Sequence, residues 1–399
     1  MSARNTRSPH RPRLAVILAP GVLALLVTAP MADAQWTVTN LHPAGSVNSF
    51  ATASSGAQQA GFEMLADGYR RAALWNGTAA SWVNLNPAGA LQSEIYGGSG
   101  TQQVGYAVIG ERSAGLWSGT AASWVNLNPA GAFNSEAYGN SGFQQVGTVY
   151  FGSNTPGSAS LWNGTAASWV NLHPAGSARS IAWATNGTQQ GGTALVGARF
   201  RASLWSGTAA SWVDLNPAGS AMSSVSAISD TQQAGWALVG GTTRAILWSG
   251  TAASWVDLNP AGATASQANA ASGSYQAGFA VVGGVNHAGL WSGTAASWVD
   301  LSPFLPAGFT SSVATGISSD ATYLYIAGYA TDSASGVSQA LLWKRPICAA
   351  DFNGGGLGVQ DIFDFLSAWL GGDPRADFNG NGLSVQDIFD FLNAWLAGC

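Results

Sequence analysis

LWSGTAASWVDL, residues 290–301, is one copy of a phrase that recurs along most of this 399-residue chain. The tryptophan at its start marks seven positions, separated by 42 to 52 residues: Trp75, Trp117, Trp162, Trp205, Trp248, Trp291 and Trp343. Sequence repeats of about 40–45 residues are typical of β-propeller blades. The phrase therefore predicts seven similar units rather than a single compact enzyme fold.

Each repeat contains four short segments with the composition of β-strands. In one unit they are SEIYGGS (93–99), QQVGYAVIG (102–110), SAGLW (113–117) and SWVNLNP (123–129). Alternating, β-branched and aromatic residues fill these segments, and Gly, Ser, Asn and Pro separate them, which is the pattern of strands joined by turns. Every repeat is thus predicted to form one four-stranded sheet, with its tryptophans filling the space between neighbouring sheets.

The two ends of the repeat region are complementary. After Trp343 the chain reads KRPICAAD and lacks an outer-strand segment, whereas WTVTNLHPAG (36–45) supplies such a segment before the first repeat. A closed ring, in which Trp36–Leu41 pairs with the strand around Ala340–Trp343, accounts for both observations and leaves no sheet edge exposed. An open solenoid is the alternative, and it would leave an orphan strand at each end. The predicted fold class is all-β: a closed seven-bladed β-propeller over residues 35–346, followed by a small α-helical, duplicated domain over 347–399.

Residues 1–34 have the features of a secretory signal peptide. The basic segment MSARNTRSPHRPR precedes the apolar run LAVILAPGVLALLVTAP, and Ala32-Asp33-Ala34 forms a small-residue cleavage site. An uncleaved membrane anchor is the alternative, although Pro20 interrupts the run, which is short for a span. The mature chain is therefore expected to be a secreted or cell-surface monomer without a membrane span. Its ten basic and eighteen acidic residues give a net charge of −8, which argues against nucleic acid as a partner.

The last fifty residues contain an internal duplication. Residues 350–372 and 376–398 are near-copies, and each opens with Asp-x-Asn-x-x-Gly before continuing with helical periodicity. Oxygen-bearing side chains at alternate loop positions, followed by a glycine at the turn, are what a calcium loop requires. Cys348 and Cys399 bracket the duplication. In an exported protein that arrangement predicts one disulfide joining the ends of the segment.

Two resemblances follow from these residues. The repeat whose best copy is HAGLW (287–291) resembles the HAF-type extracellular repeat of secreted bacterial proteins, which implies a secreted β-propeller. The tail resembles the GC-type dockerin-like domain. That resemblance implies docking onto a cohesin-like or envelope protein, and it implies Ca²⁺ ligands at Asp351, Asn353, Asp361, Asp377, Asn379, Asn381 and Asp387.

The loops depart from the usual dockerin pattern. Asp361 and Asp387 stand at the eleventh loop position instead of the twelfth, and Gly355 leaves the first loop without a side-chain oxygen at its fifth position. Neither loop has the bidentate glutamate of an EF-hand. The alternative to calcium binding is an Asp/Asn-Gly turn that caps a helix.

A second face of the tail helices is predicted to contact a partner. Phe363 and Phe389 lie off the apolar stripe of their helices, and the duplication presents each of them beside a glutamine. We therefore expect partner binding through an exposed face that includes Gln360, Phe363, Gln386 and Phe389. Packing of Phe363 against the propeller is the alternative.

No catalytic motif accompanies the repeats. The chain contains no Gly-x-Ser-x-Gly elbow, phosphate loop or HExxH, and His42 and His173 replace a turn asparagine of the repeat. The predicted function is a non-catalytic propeller, attached to an envelope or extracellular complex through its tail. The alternatives are a lectin or adhesin that binds a glycan or peptide, and a hydrolase acting on polysaccharides.

If the propeller has a ligand, its expected place is at the first strand of each blade. Small residues alternate there with a variable pair, and only this variable column differs in chemistry between blades: Phe50/Thr52, Glu94/Tyr96, Glu136/Tyr138, Ile181/Trp183, Val225/Ala227, Gln267/Asn269 and Val313/Thr315. Tyr96, Tyr138 and Trp183 could stack on a sugar, with Glu94 and Glu136 as acceptors. The alternative is that this column only fills the core between blades.

Overall fold

A computed structural model describes residues 36–320, 322–348, 350–353, 357–379 and 382–398. The predicted signal peptide (1–34), the predicted ligand Asn381 and the predicted disulfide partner Cys399 lie outside the described residues.

Within this part of the chain the strands form seven antiparallel sheets of four strands each, confirming the predicted seven blades. We number the blades from the first complete repeat. The innermost strands of blades 1 to 7 are β2 (Asn48–Ser55), β6 (Ser93–Ser99), β10 (Asn134–Asn140), β14 (Arg179–Thr185), β18 (Ser223–Ser229), β22 (Ala265–Ser272) and β26 (Phe309–Ser319). Each inner strand contacts the inner strands of both neighbouring blades, including β26 with β2, so these strands surround a central channel.

The second and third strands carry the glutamine and tryptophan motifs of the repeat. The second strands are β3 (Gln58–Met64), β7 (Gln102–Ile109), β11 (Gln145–Tyr150), β15 (Gln190–Val196), β19 (Gln232–Val239), β23 (Tyr275–Val282) and β27 (Tyr323–Asp332). The third strands are β4 (Arg70–Asn76), β8 (Glu111–Trp117), β12 (Ser158–Trp162), β16 (Arg199–Trp205), β20 (Thr242–Trp248), β24 (Val285–Trp291) and β28 (Ser338–Pro346).

The outer strands of blades 1 to 6 have two residues each, fewer than the repeated phrase predicts. They are β5 (Val83–Asn84), β9 (Val125–Asn126), β13 (Val170–Asn171), β17 (Val213–Asp214), β21 (Val256–Asp257) and β25 (Val299–Asp300). One turn of 3₁₀ helix precedes each of them, at Ala79–Ser81, Ala121–Ser123, Ala166–Ser168, Ala209–Ser211, Ala252–Ser254 and Ala295–Ser297. The Ala-Ala-Ser of the phrase therefore forms a helical turn inside the hairpin, and a further 3₁₀ turn, Ser302–Phe304, follows blade 6.

Blade 7 takes its outer strand from the start of the described chain. Strand β1 (Thr37–Asn40) pairs antiparallel with β28, from Thr37 opposite Lys344 to Asn40 opposite Leu341. The next residue, Leu41, donates its backbone N–H to Ala340 O over 2.8 Å. Leu85 donates in the same way to Ala72 O in blade 1, also over 2.8 Å. The N-terminal strand thus occupies the place that a local hairpin strand fills in the other six blades.

A serine on each inner strand joins its blade to the one before. The serine Oγ accepts the backbone N–H of an alanine on the third strand of the preceding blade, over 2.8–3.0 Å, at Ser49, Ser93, Ser135, Ser180, Ser223, Ser266 and Ser312. In four blades the same serine donates to the asparagine of the Asn-Pro-Ala-Gly turn, as Ser93 does to Asn86. His42 and His173 take the asparagine's place and contact Ser49 and Ser180 through Nδ1, both at 2.8 Å. The prediction that these histidines are turn residues is confirmed.

The second glutamine of the QQ motif accepts a hydrogen bond from the backbone of the hairpin turn. Its Oε1 accepts the backbone N–H of the turn glycine over 2.7–3.0 Å in blades 1 to 6, at Gln59, Gln103, Gln145, Gln190, Gln233 and Gln276. In blade 7 the residue opposite the motif tryptophan is Ile326, paired with Trp343. Blade 7 has no such hairpin, because its outer strand comes from the other end of the chain. The sequence therefore lacks the glutamine only where the turn glycine is missing.

The tail contains two α-helices, α1 (Val359–Leu370) and α2 (Val385–Ala397), with a 3₁₀ turn at Pro374–Ala376. Phe365 and Phe391 stack at its core with their ring centroids 4.0 Å apart. The two copies also bond reciprocally: Trp369 Nε1 donates to Ser384 O and Trp395 Nε1 donates to Gly358 O, each over 2.9 Å. None of the helices described is long and apolar enough to span a membrane.

Candidate functional site

A β-bulge in each inner strand selects one residue per blade. At the same place in every blade, the pairing of inner and second strands skips one inner-strand residue: Thr52, Tyr96, Tyr138, Trp183, Ser226, Asn269 and Thr315. Blade 7 has a second irregularity, at Thr310. Bulges bend a strand and re-aim the side chain of the extra residue. All seven of these residues, which we call the bulge ring, line one cavity in the central channel.

The glycine of the QQxG motif makes the bulge possible. A Cβ atom on Gly105 would lie 1.8 Å from the carbonyl oxygen of Glu94 on the inner strand. The corresponding distance is 1.8–2.1 Å in all seven blades. No side chain fits there, so only glycine allows the backbone of the bulged inner strand to approach the second strand this closely.

The bulge ring divides into two arcs of different chemistry. Blades 2 to 4 supply the aromatic arc, Tyr96, Tyr138 and Trp183, whose consecutive ring centroids are 5.2 and 4.4 Å apart. Blades 5, 6, 7 and 1 supply the polar arc, which consists of Ser226, Asn269, Thr315 and Thr52. The aromatic arc offers faces for stacking, and the polar arc offers hydrogen-bonding groups across the channel.

Three side chains of the polar arc are held by the next blade. Thr52 Oγ1 donates to Ile95 O over 2.7 Å, Asn269 Nδ2 donates to Ala314 O over 2.9 Å, and Thr315 Oγ1 donates to Ala51 O. A threonine hydroxyl has one hydrogen. Because that hydrogen is engaged, the oxygens of Thr52 and Thr315 remain as acceptors, and Asn269 keeps its carbonyl oxygen and a second N–H. These three side chains of the polar arc are therefore oriented before any ligand arrives.

The cavity has a volume of about 790 Å³ and extends from the bulge ring towards blades 4 and 5. Phe200 and Trp236 add aromatic surface to its wall, while Thr193 and Ser224 add hydroxyl groups and Arg179 adds a guanidinium. A smaller cavity of about 140 Å³ lies on the other side of the ring. Volumes of about 300–1,000 Å³ with mainly apolar walls and a few polar groups are typical of small-molecule sites.

Glu94 and Glu136 lie between blades rather than on the cavity wall. They are 1% and 9% exposed, and each pairs with an arginine of the preceding blade: Glu94 with Arg70 Nη1 at 2.7 Å, and Glu136 with Arg112. Each also accepts a tyrosine hydroxyl, Tyr106 on Glu94 and Tyr138 on Glu136. Burial and the Glu136 charge raise the pKa of Tyr138 far above its usual value. The carboxylates predicted as ligand acceptors are thus engaged by an arginine and a tyrosine each, and of those two tyrosines Tyr138 lines the cavity.

The predicted variable column is wrong in blade 5. Ser224 pairs with Trp236, as Glu94 does with Tyr106, and the bulged residue is Ser226. The pair expected from the sequence, Val225 and Ala227, lies one position further along the strand. The Ser-Ser pair at 223–224 leaves the reading frame ambiguous, and a slip of one residue exchanges the two faces of a strand.

Three further residues of the cavity wall, Phe200, Trp236 and Arg179, are not among those predicted from the sequence. Trp236 lies on a second strand, and Phe200 on a third strand next to a turn, so neither belongs to the variable column. The position of Trp236 differs between blades, since Tyr106 occupies it in blade 2 and Thr148 occupies it in blade 3. That variation in an otherwise regular repeat is visible in the sequence. Only the pairing of the strands brings these residues to the same cavity.

In the tail, Asp361 and Asp387 accept hydrogen bonds with both carboxylate oxygens. Gly358 N and Asn353 N donate to Asp361 over 2.8 and 3.1 Å, and Ser384 N and Phe378 N donate to Asp387 over 2.7 and 3.0 Å. Both acids stand at the third position of a helix, where such a carboxylate caps the N-terminus.

The other predicted calcium ligands make contacts of similar kind. Asn353 and Asn379 donate Nδ2 to Asp364 and Asp390, each over 2.9 Å, and Asp377 accepts the N–H of Gly382 over 2.9 Å. Asp351 lies on the first loop, two residues before Asn353. These contacts fit the capping alternative, and Ca²⁺ binding stays a prediction.

The predicted partner face is exposed. Phe363 and Phe389 are 59% and 57% exposed, and Gln360 and Gln386 each donate Nε2 to an aspartate one turn further along the helix, over 2.9 Å. Exposure of Phe363 is contrary to the alternative in which it packs against the propeller. Partner binding here, like the Cys348–Cys399 disulfide, stays a prediction.

No family model and no curated protein matches this chain. A solved puromycin hydrolase mutant complexed with PGG is similar in structure, with a TM-score of 0.51 and 11% identity, over 73% of this chain and 53% of that one. The chain therefore spans about half the length of that hydrolase. The β-propeller domain of the Trilobed protease from Pyrococcus furiosus has a TM-score of 0.47 at 7% identity, over 75% of this chain and 96% of that one. The BP39L lectin from Burkholderia pseudomallei has a TM-score of 0.43 at 17% identity, over 79% of this chain and 98% of that one.

The seven four-stranded sheets and the two tail helices define the class, a seven-bladed β-propeller with a small helical region at its C-terminus, and the likeness to the hydrolase supports this fold. The likeness to the hydrolase also corrects the predicted function. The absence of catalytic motifs and the dockerin-like resemblance predict a non-catalytic propeller attached through its tail, but a propeller of this fold occurs in a puromycin hydrolase. That prediction is wrong.

Proposed function

We propose that the propeller binds a carbohydrate in its central cavity. The observation that carries this proposal is the division of the bulge ring into an aromatic arc and a polar arc that face the same space. A sugar ring has an apolar C–H face and a rim of hydroxyl groups. The aromatic arc suits the face, and the polar arc suits the rim.

The chemistry of the polar arc supports a ligand rich in hydroxyl donors. Thr52 and Thr315 have engaged their own hydrogens with backbone carbonyls and so offer oxygens that accept. Asn269 offers both an acceptor and a donor. Because these side chains are already oriented, binding would require little further loss of rotamer freedom.

We also propose that β1 closes the ring in solution and thereby holds blades 7 and 1 around the cavity. Its pairing with β28, and the bonds from Ala340 N to Ser49 and from Thr315 to Ala51, support this proposal. The two tail copies, with their reciprocal tryptophan bonds, support a resemblance to dockerin-like domains.

The binding proposal is tested with the full chain. A glycan panel first selects a ligand, and isothermal titration calorimetry then compares the wild type with Trp183→Ala and Trp236→Ala. Loss of one stacking face costs about 0.5–1.5 kcal/mol beyond the lost contact area, so we expect each variant to bind at least about threefold more weakly.

Tyr69→Ala is the control, because Tyr69 is an exposed aromatic residue in a turn of blade 1 and does not line the cavity. Melting temperatures verify that the variants fold. Absence of binding across the panel, or equal affinity of the wild type and both cavity variants, would contradict the proposal.

A further inference from the structure

Among the described residues that line the cavity, Arg179 is the charged one, and none of the others is a carboxylate. It stands at the start of β14, one residue before the inter-blade serine Ser180. The other blades have neutral residues at this position: Asn48, Gln92, Asn134, Met222, Ala265 and Ser311. The charge is therefore a feature of blade 4 and not of the repeat.

Most other arginines of the propeller are neutralised. Arg70, Arg71, Arg201 and Arg244 each lie 2.6–3.0 Å from a carboxylate oxygen, and Arg112 also pairs with one. Among the residues that the structure describes, Arg179 has no ion pair within 4.0 Å, and its contact is a 3.4 Å hydrogen bond from Nη2 to the hydroxyl of Tyr150. Its Nε is buried and has no hydrogen-bond partner among the same residues.

A partly buried guanidinium without a counter-charge is costly, and it gains most from an anion that it can contact through two N–H groups. Carboxylates match this planar fork in size and shape. The remainder of the cavity suits a sugar, as proposed above. We infer that the ligand is an acidic carbohydrate, and that its carboxylate pairs with Arg179 while a ring stacks on the aromatic arc. This inference rests on the proposed carbohydrate binding.

A matched pair of probes tests it. Oligogalacturonate carries a carboxylate on every ring, and its methyl ester has the same stereochemistry without the charge. Calorimetry with the full chain should show the acid binding about 10- to 100-fold more tightly than the ester, as expected for hydrogen bonds to a charged group. Arg179→Gln should remove this difference, so that the acid binds about as weakly as the ester. Arg179→Lys, which keeps the charge but loses the fork, should retain only part of it.

Arg199→Gln is the control, because Arg199 is an exposed residue of the same blade and its loss changes the net charge equally. Equal binding of acid and ester by the wild type overturns the inference but leaves carbohydrate binding standing. A similar loss in Arg199→Gln and Arg179→Gln overturns it as well, because the effect would then come from overall charge. If neither probe binds and the wider glycan panel is also negative, the inference and the proposed function fail together.

Discussion

Replacing Leu41 with alanine tests whether the N-terminal strand closes the ring. Leu41 follows β1 and is fully buried in a cluster with Ala51, Trp75 and Leu342. Its partner strand lies about 300 residues away in the sequence, since Leu41 N donates to Ala340 O. Truncating this side chain therefore tests the packing of the N-terminal strand on β28, two strands that no local hairpin joins.

Blade 4 provides a matched reference. Leu215 occupies the same place after β17, is also fully buried, and donates its N–H to Ala202 O over 2.8 Å, the same distance as in Leu41. Truncating a buried leucine to alanine costs about 2–5 kcal/mol. Because the two surroundings are alike, we expect Leu41→Ala and Leu215→Ala to lower the free energy of unfolding by similar amounts within that range.

Urea denaturation, followed by tryptophan fluorescence and by far-ultraviolet circular dichroism, measures both losses. Coincidence of the two probes verifies that unfolding is two-state, which the comparison requires. If Leu215→Ala costs 2–5 kcal/mol and Leu41→Ala costs less than about 0.5 kcal/mol, the N-terminal strand is detached in solution and the closure is refuted.

Two further substitutions test the bulge and the turn network. Gly105→Ala places a Cβ 1.8 Å from Glu94 O, so thermal denaturation should show the free energy of unfolding reduced by about 1–3 kcal/mol or more. Ligand binding in the cavity should weaken too, because Tyr96 moves with the bulge. An unchanged melting temperature would contradict the bulge geometry. Burial lowers the pKa of His42 below its usual 6.5, although a hydrogen bond with Ser46 O offsets part of this effect. The folded state therefore resists protonation of His42, so the free energy of unfolding should fall as pH drops below about 6.5. His42→Asn introduces the residue that stands at the equivalent position 86, and it should flatten the dependence of melting temperature on pH. A variant with the same pH profile as the wild type would refute this effect of His42.

Much of the propeller could be predicted from the sequence, because each motif has a local physical cause. The LW phrase marks a buried tryptophan at the end of the third strand, and the spacing between phrases defines the blades. The orphan segment at 36–45 matches the missing strand of blade 7. These signals repeat, so an error in one copy is corrected by the others.

The site was harder to predict because it depends on the β-bulge in each inner strand, which interrupts the alternation of side chains between the two faces. Period-two alternation placed Glu94 and Tyr96 together, but the bulge separates them: Glu94 lies between blades and Tyr96 lines the cavity. The partners of the two acids lie in the preceding blade, at Arg70 and Arg112, each 24 residues earlier in the chain. That common spacing was visible in the sequence, but its meaning depends on how two blades pack together.

The most direct test of carbohydrate binding is a crystal structure of the protein with a glycan selected by the panel. We predict that a sugar ring stacks on Trp183 or Tyr138, inside the bulge ring, with hydroxyl groups within hydrogen-bonding distance of Asn269 or Thr315. Density for the glycan at another surface, with this cavity holding only water, would contradict the account.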